Sequence, residues 1–148
     1  MRQLLKYVSI LIFALPIHLA NAQQYKSVVE LIMVDQIDMD DPFNQSIVLQ
    51  RCAGIFGALA KFWPIEDQDQ KEKLFMNSMQ LLTFATMTMA KKRGLPMDDK
   101  AVEDQVSKAF SIYVDTYHDS MERHQIATGS MISELVEGDL TLCSTLTK

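Results

Sequence analysis

Residues that end helices are scarce in this chain, and so are residues that build sheets. Its 148 residues include five glycines and four prolines, and beyond residue 22 the prolines are Pro42, Pro64 and Pro96 alone. No stretch alternates apolar with polar residues over a run rich in β-branched and aromatic side chains, which excludes a sheet as the organising element. The chain lacks a Gly-x-Ser-x-Gly turn and a phosphate-cradling glycine loop, so neither an esterase-type serine nor a nucleotide site is encoded in a recognisable form. Positive charge is also short: Lys and Arg number 14 against 19 Asp and Glu, and the basic residues cluster only at Lys91-Lys92-Arg93. That balance argues against binding to nucleic acid or to anionic lipid. Cysteine is nearly absent, with Cys52 and Cys143 the whole inventory.

What is present at the start is an export signature. Arg2 and Lys6 form a positive opening, Tyr7 to Leu19 is mostly apolar, and Ala20-Asn21-Ala22 places small residues where a signal peptidase reads them. Cleavage is expected before Gln23, leaving residues 23–148 as a single domain in the periplasm or outside the cell. The apolar run is shorter than the roughly 20 residues of a membrane anchor and contains Pro16 and His18, so no stable membrane insertion is expected after cleavage. Loss of Arg2 and Lys6 takes the net charge from −5 to −7. In an oxidising compartment two cysteines pair, and Cys52–Cys143 is the one intramolecular possibility. Closing a loop of about 90 residues contributes roughly 4–5 kcal/mol in the chain-entropy picture.

The exported region reads as helices throughout. Helix A is expected over Ser27 to about Gln36. Helix B starts at Asp41-Pro42, a capping carboxylate followed by a proline in the first turn, and ends at Pro64. Its apolar positions, from Phe43 through Cys52 to Phe62, recur at spacings of three and four, and Ala53, Gly54, Gly57 and Ala58 invite close approach by another helix. A charged, exposed segment from Ile65 to Lys73 precedes helix C, which runs to about Arg93 with Gly94 as its terminator. Between Leu74 and Ala90 helix C carries no charge, and its apolar positions spread nearly all round. That pattern predicts the buried centre of a bundle. Helix D begins near Asp98 or Asp99 and reaches about Ala127, with Val102, Val106, Phe110, Tyr113, Tyr117 and Met121 as its stripe. Helix E spans Met131 to about Leu146, with Gly138 a possible kink. The expected architecture is all-α: a compact bundle of four main helices and a short N-terminal one, stapled by one disulfide between helices B and E.

Three groups could carry chemistry. His118 and Glu122 lie one turn apart on helix D, beside Asp115 and Asp119, and could hold a metal ion or exchange protons. Their spacing matches no strong metal motif, and a solvated face with internal ion pairs accounts for them. Met76, Met79 and Met87 share one arc of helix C and could offer thioethers to Cu(I), but the all-round apolar helix assigns them to core packing. Asp35, Asp38, Asp40 and Asp41 lack the central glycine and closing glutamate of a calcium loop, and read as capping residues. Tyr25, Phe43, Phe62 and Trp63 are core residues first and partner-facing anchors second. No catalytic residue, cofactor or metal is expected.

The segments Leu49-Gln50-Arg51-Cys52-Ala53 and Asp139-Leu140-Thr141-Leu142-Cys143 resemble the cysteine-bearing helices of small exported helical proteins from bacteria and their phages. Among these are the periplasmic immunity proteins that neutralise cell-wall amidase toxins delivered by type VI secretion. The similarity covers about a fifth of the exported chain and transfers no toxin-contacting residue. The acid-stress periplasmic chaperones share the two-cysteine helical plan on a shorter chain. The resemblance implies a non-catalytic protein that binds another exported protein, with a holdase chaperone, or a metal-binding protein or enzyme using His118 and Glu122 or the methionine face, as alternatives.

Overall fold

The computed structural model describes residues 25–34 and 36–147. The expected leader over residues 1–22, and Asp35 of the acidic loop, lie outside the described residues. Among the described residues five helices follow one another: α1 Val28–Met33, α2 Pro42–Phe62, α3 Gln68–Arg93, α4 Lys100–Thr128 and α5 Glu134–Cys143.

Local chemistry explains where they start and stop. Each helix opens on an oxygen-bearing side chain that accepts otherwise unpaired N–H groups. Ser27 and Glu30 form a reciprocal capping box on α1. Asp41 takes Phe43 N–H before α2, with Pro42 in the first turn. Asp67 takes Asp69 and Gln70 N–H, Asp99 takes Ala101 and Val102 N–H, and Ser133 takes Val136 N–H. Two of these caps hold carboxylates below their ordinary range. For Glu30 the leading cause is the Ser27 backbone N–H, and for Asp41 it is the Lys92 ammonium. Gly94 (φ 66°) and Gly129 (φ 80°) close α3 and α4 in the left-handed region that glycine reaches at no steric cost.

Three boundaries differ from expectation. α1 stops at Met33 rather than near Gln36, because the N–H groups of Gln36 and Ile37 both turn back to the Leu31 carbonyl. α3 begins inside the charged segment, at Gln68, since Asp67 supplies a cap there. α5 occupies only Glu134–Cys143, and it passes Gly138 without interruption. Gly138 is small for another reason: a Cβ there would stand 3.0 Å from Ser27 Cβ, where the start of α1 lies against α5.

The larger correction concerns the centre of the bundle. The buried axis is α2, not α3. Along α2, residues from Val48 to Leu59 are buried on nearly every side, including Cys52, Ala53, Ile55, Phe56 and Ala58. The small residues make this possible, because they let α3 and α4 approach α2 closely. A Cβ on Gly54 would stand 2.5 Å from Tyr113 Cβ and 3.2 Å from its carbonyl carbon, so α4 crosses α2 there in direct backbone contact. Gly57 makes the same allowance for the Phe110 ring and for Ser78 of α3. α3 buries only one row, Ser78, Leu81, Ala85, Met89 and Ala90. Ser78 and Ser46 fasten it to α2 by donating to Ala53 O (2.8 Å) and Ala85 O (2.9 Å). A smaller core of Met89, Ala90, Val102 and Val106 joins the end of α3 to the start of α4.

Cys52 and Cys143, both fully buried, are joined Sγ to Sγ and tie α5 to the central helix. Among the described residues no helix is long and apolar enough to cross a membrane.

Gly54→Ala tests the close crossing. One added methyl must displace α4 backbone, so the variant should lose about 1–3 kcal/mol of stability in urea unfolding. Gly94→Ala meets no neighbour, and its cost arises from the left-handed backbone alone, about 1 kcal/mol.

Candidate functional site

The residues nominated from sequence divide into two groups on the surface. On α4, His118, Asp119 and Glu122 do come together: each offers a donor atom and all three lie within 4.8 Å of one another. The His118 ring packs on Phe62 with centroids 3.8 Å apart, and its Nδ1 is 3.7 Å from Asp119 Oδ1. Asp119 and Glu122 are exposed. The three could hold a metal ion from one side, with all donors drawn from little more than one helical turn. Asp115 lies outside this group.

The methionines of α3 are not core residues. Met76 is 58% exposed and Met79 40% exposed, with Phe75 (54%) and Phe84 (44%) beside them, while Met87 is half-buried. The assignment to core packing fails because α1 and α5 are short and pack elsewhere, leaving no element to cover the far side of α3. Tyr25 and Phe43 are exposed as well, whereas Phe62 and Trp63 pack against the core. Asp38 and Asp41 serve the turn and cap expected of them, accepting from Asp40 and Phe43 N–H.

The most concentrated polar chemistry lies in the interior, at residues whose pairing sequence reasoning missed. Asp139 of α5 is 0% exposed. Its Oδ2 receives Arg51 Nη2 of α2 at 2.7 Å and the Tyr117 hydroxyl of α4, and its Oδ1 receives the Val28 N–H at the start of α1. Arg51 Nη2 also donates to Lys26 O (2.8 Å), its Nε reaches Tyr117 Oη at 3.4 Å, and the guanidinium lies over the Tyr113 ring. Burial works against the Arg51 charge, but the facing oxygens of Tyr117 and Asp139 outweigh it and hold the group charged. Burial first, and then the negative Asp139, keep the Tyr117 phenol neutral well above its ordinary value. Burial raises Tyr113 in the same way. Among the described residues no buried side-chain polar atom is left without a partner. This cluster is satisfied and sealed from solvent, so it holds the fold together and offers nothing to a substrate. A sequence signal existed: Asp139 is a charge inside the inward-facing row Leu135, Val136, Leu140, Cys143, and Arg51 adjoins Cys52.

Among the described residues two open surface clefts bear on function. One, of about 840 Å³, lies between α1, α4 and the start of α5, with Glu30, Arg123 and Ser133 among its lining residues. The other, of about 660 Å³, lies where α3 and α4 diverge above α2. Its floor is Gly57, Ala60 and Ser78 and its walls are Phe75, Phe110 and Val114, while Lys61, Lys71, Glu72 and Asp115 stand at its rim. An apolar base with charges of both signs at the mouth suits an inserted apolar side chain whose neighbours are polar. The chain matches no protein family, no curated protein and no solved structure with which it was compared.

Asp139→Ala leaves the Arg51 guanidinium buried without its partner and should cost about 3–5 kcal/mol, read by urea unfolding. Replacing both residues, as Arg51→Met with Asp139→Leu, should recover part of that loss, because no unpaired charge then remains inside. Tyr117 makes stability depend on alkaline pH. Its folded value lies above the unfolded value of 10.0, so its contribution is whole below pH 10 and is lost as pH rises beyond it. The expected slope is about 1.4 kcal/mol per pH unit. Tyr117→Phe should flatten that limb, although it also removes the hydroxyl that Asp139 accepts.

Proposed function

We propose that this protein is an exported, non-catalytic helical protein that binds another exported protein, and that the cleft between α3 and α4 receives an apolar side chain of that partner. Its compartment, periplasmic or extracellular, rests on the leader pattern of residues 1–22 and is compatible with the Cys52–Cys143 pair. The observation that carries the binding role is the cleft itself. Gly57 and Ala60 keep its floor low, Phe110 and a half-exposed Phe75 wall it, and no side chain of the described residues fills it. Apolar walls open to water carry a standing cost that a bound partner removes. The sharpest form of this reading is an immunity or inhibitor protein, in which the partner is an enzyme and the bundle blocks it by occupation of its surface. A non-catalytic role is supported by the burial of Arg51, Tyr117 and Asp139, whose polar groups are paired with one another inside the bundle.

Ser111 is exposed at the edge of the cleft, so Ser111→Trp places a large ring in its mouth without touching the core. Affinity isolation of the tagged protein from the envelope should recover one stoichiometric partner, which mass spectrometry identifies. Calorimetry with that purified partner should then show binding at least about tenfold weaker for Ser111→Trp, a loss of about 1.4 kcal/mol or more, with thermal unfolding unchanged. Absence of a stoichiometric partner, or full affinity in the variant, would refute the proposal.

A further inference from the structure

The first and last helices pack on each other. α1 starts against Gly138 of α5, and the Val28 N–H donates to Asp139. Each is short, with six residues in α1 and ten in α5, where a helix of fewer than about 12 residues is marginal in water. Both therefore depend on the seat they share. Polar links fix that seat to the rest of the bundle. Arg51 of α2 reaches Asp139 Oδ2 (2.7 Å) and Lys26 O (2.8 Å), the Tyr117 hydroxyl of α4 donates to Asp139, and Ser120 of α4 shares a hydrogen bond with Ser133 (2.7 Å). One covalent link, Cys52–Cys143, lies beside them with both residues 0% exposed. The other three helices hold together without this pair. Ser46 and Ser78 fasten α3 to α2, α4 crosses α2 at Gly54, and the core of Ala85, Met89, Ala90, Val102 and Val106 lies between α3 and α4. Since α1 and α5 flank the segment from Pro42 to Thr128 in the chain, both can leave without interrupting it.

We propose that α1 and α5 form a redox-controlled latch, which opens as one unit from a folded α2–α4 core when the Cys52–Cys143 disulfide is reduced, and that the Arg51–Asp139–Tyr117 cluster gates the reductant. With the disulfide intact, α5 cannot leave α2. Once it is cut, only the polar links and the apolar contacts of the two short helices remain, and opening becomes a local event. The reaction is thiol–disulfide exchange with a dithiol. One thiolate attacks a cysteine sulfur, forms a mixed disulfide and expels the other cysteine as thiolate. The second thiol then closes the reductant's own disulfide and releases the first cysteine. Two electrons pass to the protein, and each cysteine thiolate takes up a proton. Neither sulfur is reachable in the closed bundle, so the attack waits until α5 rolls away from α2. That motion must part Asp139 from Arg51 and Tyr117, which sets how often the sulfurs are exposed. The cleft between α3 and α4 is built wholly from α2–α4 and the turn before α3, so the latch does not depend on what the cleft binds.

Amide hydrogen exchange read by mass spectrometry, on the disulfide-intact protein and on the same protein held in excess dithiothreitol, tests the latch. Reduction should speed exchange in α1 and α5 at least about 100-fold and leave the slow amides of α2, α3 and α4 slow. The rate at which dithiothreitol cuts the bond, followed by thiol labelling, tests the gate. Asp139→Asn should raise it at least about tenfold. Ser120→Ala, a milder change that removes only the link to Ser133, should raise it about two- to tenfold. Gly94→Ala separates latch opening from global unfolding. It weakens the far end of α3, so it should leave the reduction rate unchanged if the latch opens alone, and raise it about fivefold if the sulfurs are reached only through complete unfolding. Loss of protection in α2–α4 together with α1 and α5, a reduction rate indifferent to Asp139→Asn and Ser120→Ala, or a rate that rises with Gly94→Ala would overturn the inference.

Discussion

Asp139 brings together four parts of the chain that have no local reason to meet. Its two oxygens receive groups from α2 and α4 and from the start of α1, and the residue itself belongs to α5. A carboxylate fully removed from water is tolerable only when its partners are all in place, since desolvation costs several kcal/mol and is repaid by charge and hydrogen bonds together. The cluster therefore acts as an all-or-none condition. Until α1, α2, α4 and α5 are in position, Asp139 and Arg51 are better left in water. The disulfide sits beside it, since Arg51 precedes Cys52 and Asp139 lies one turn before Cys143. A covalent link and a charge pair thus join α2 to α5 side by side.

The second constraint is steric. α2 holds the centre because Ala53, Gly54, Gly57 and Ala58 present little bulk, so α3 and α4 can lie on it almost backbone to side-chain root. That choice has a consequence at the surface. With α2 enclosed, and with α1 and α5 too short to wrap further, the outer face of α3 has nothing over it. The divergence of α3 from α4 above Gly57 leaves a cleft with aromatic walls. Both surface features follow from where the small residues fall on α2.

How much of this could be read from the sequence differs by residue. The start of α2 at Asp41-Pro42, its end before Pro64, the stop of α3 at Gly94 and the break near Gly129 were legible, because each depends on a side chain acting on backbone within a few positions. The five-helix plan and the Cys52–Cys143 link follow from the same kind of local pattern, together with the fact that only one pairing exists. The burial of α3 was not legible. An uncharged run such as Leu74–Ala90 looks alike whether it is surrounded by other helices or waits for another molecule, and periodicity alone cannot separate the two. Met76 and Met79 were misassigned for this reason. His118, Asp119 and Glu122 were legible as neighbours, since helical spacing alone places them together.

Sequence by itself determined the five helices, the start and stop of α2 at Asp41-Pro42 and Pro64, the stops of α3 at Gly94 and α4 near Gly129, and the single cysteine pairing, because those are set by neighbouring residues or by a count of one. Only tertiary structure decided which helix became the core, that Arg51 would meet Asp139 across 88 residues of chain, and that α3 would show an apolar face to solvent. Those outcomes depend on which surfaces exclude water together. That is a property of the whole packed arrangement and of no single segment.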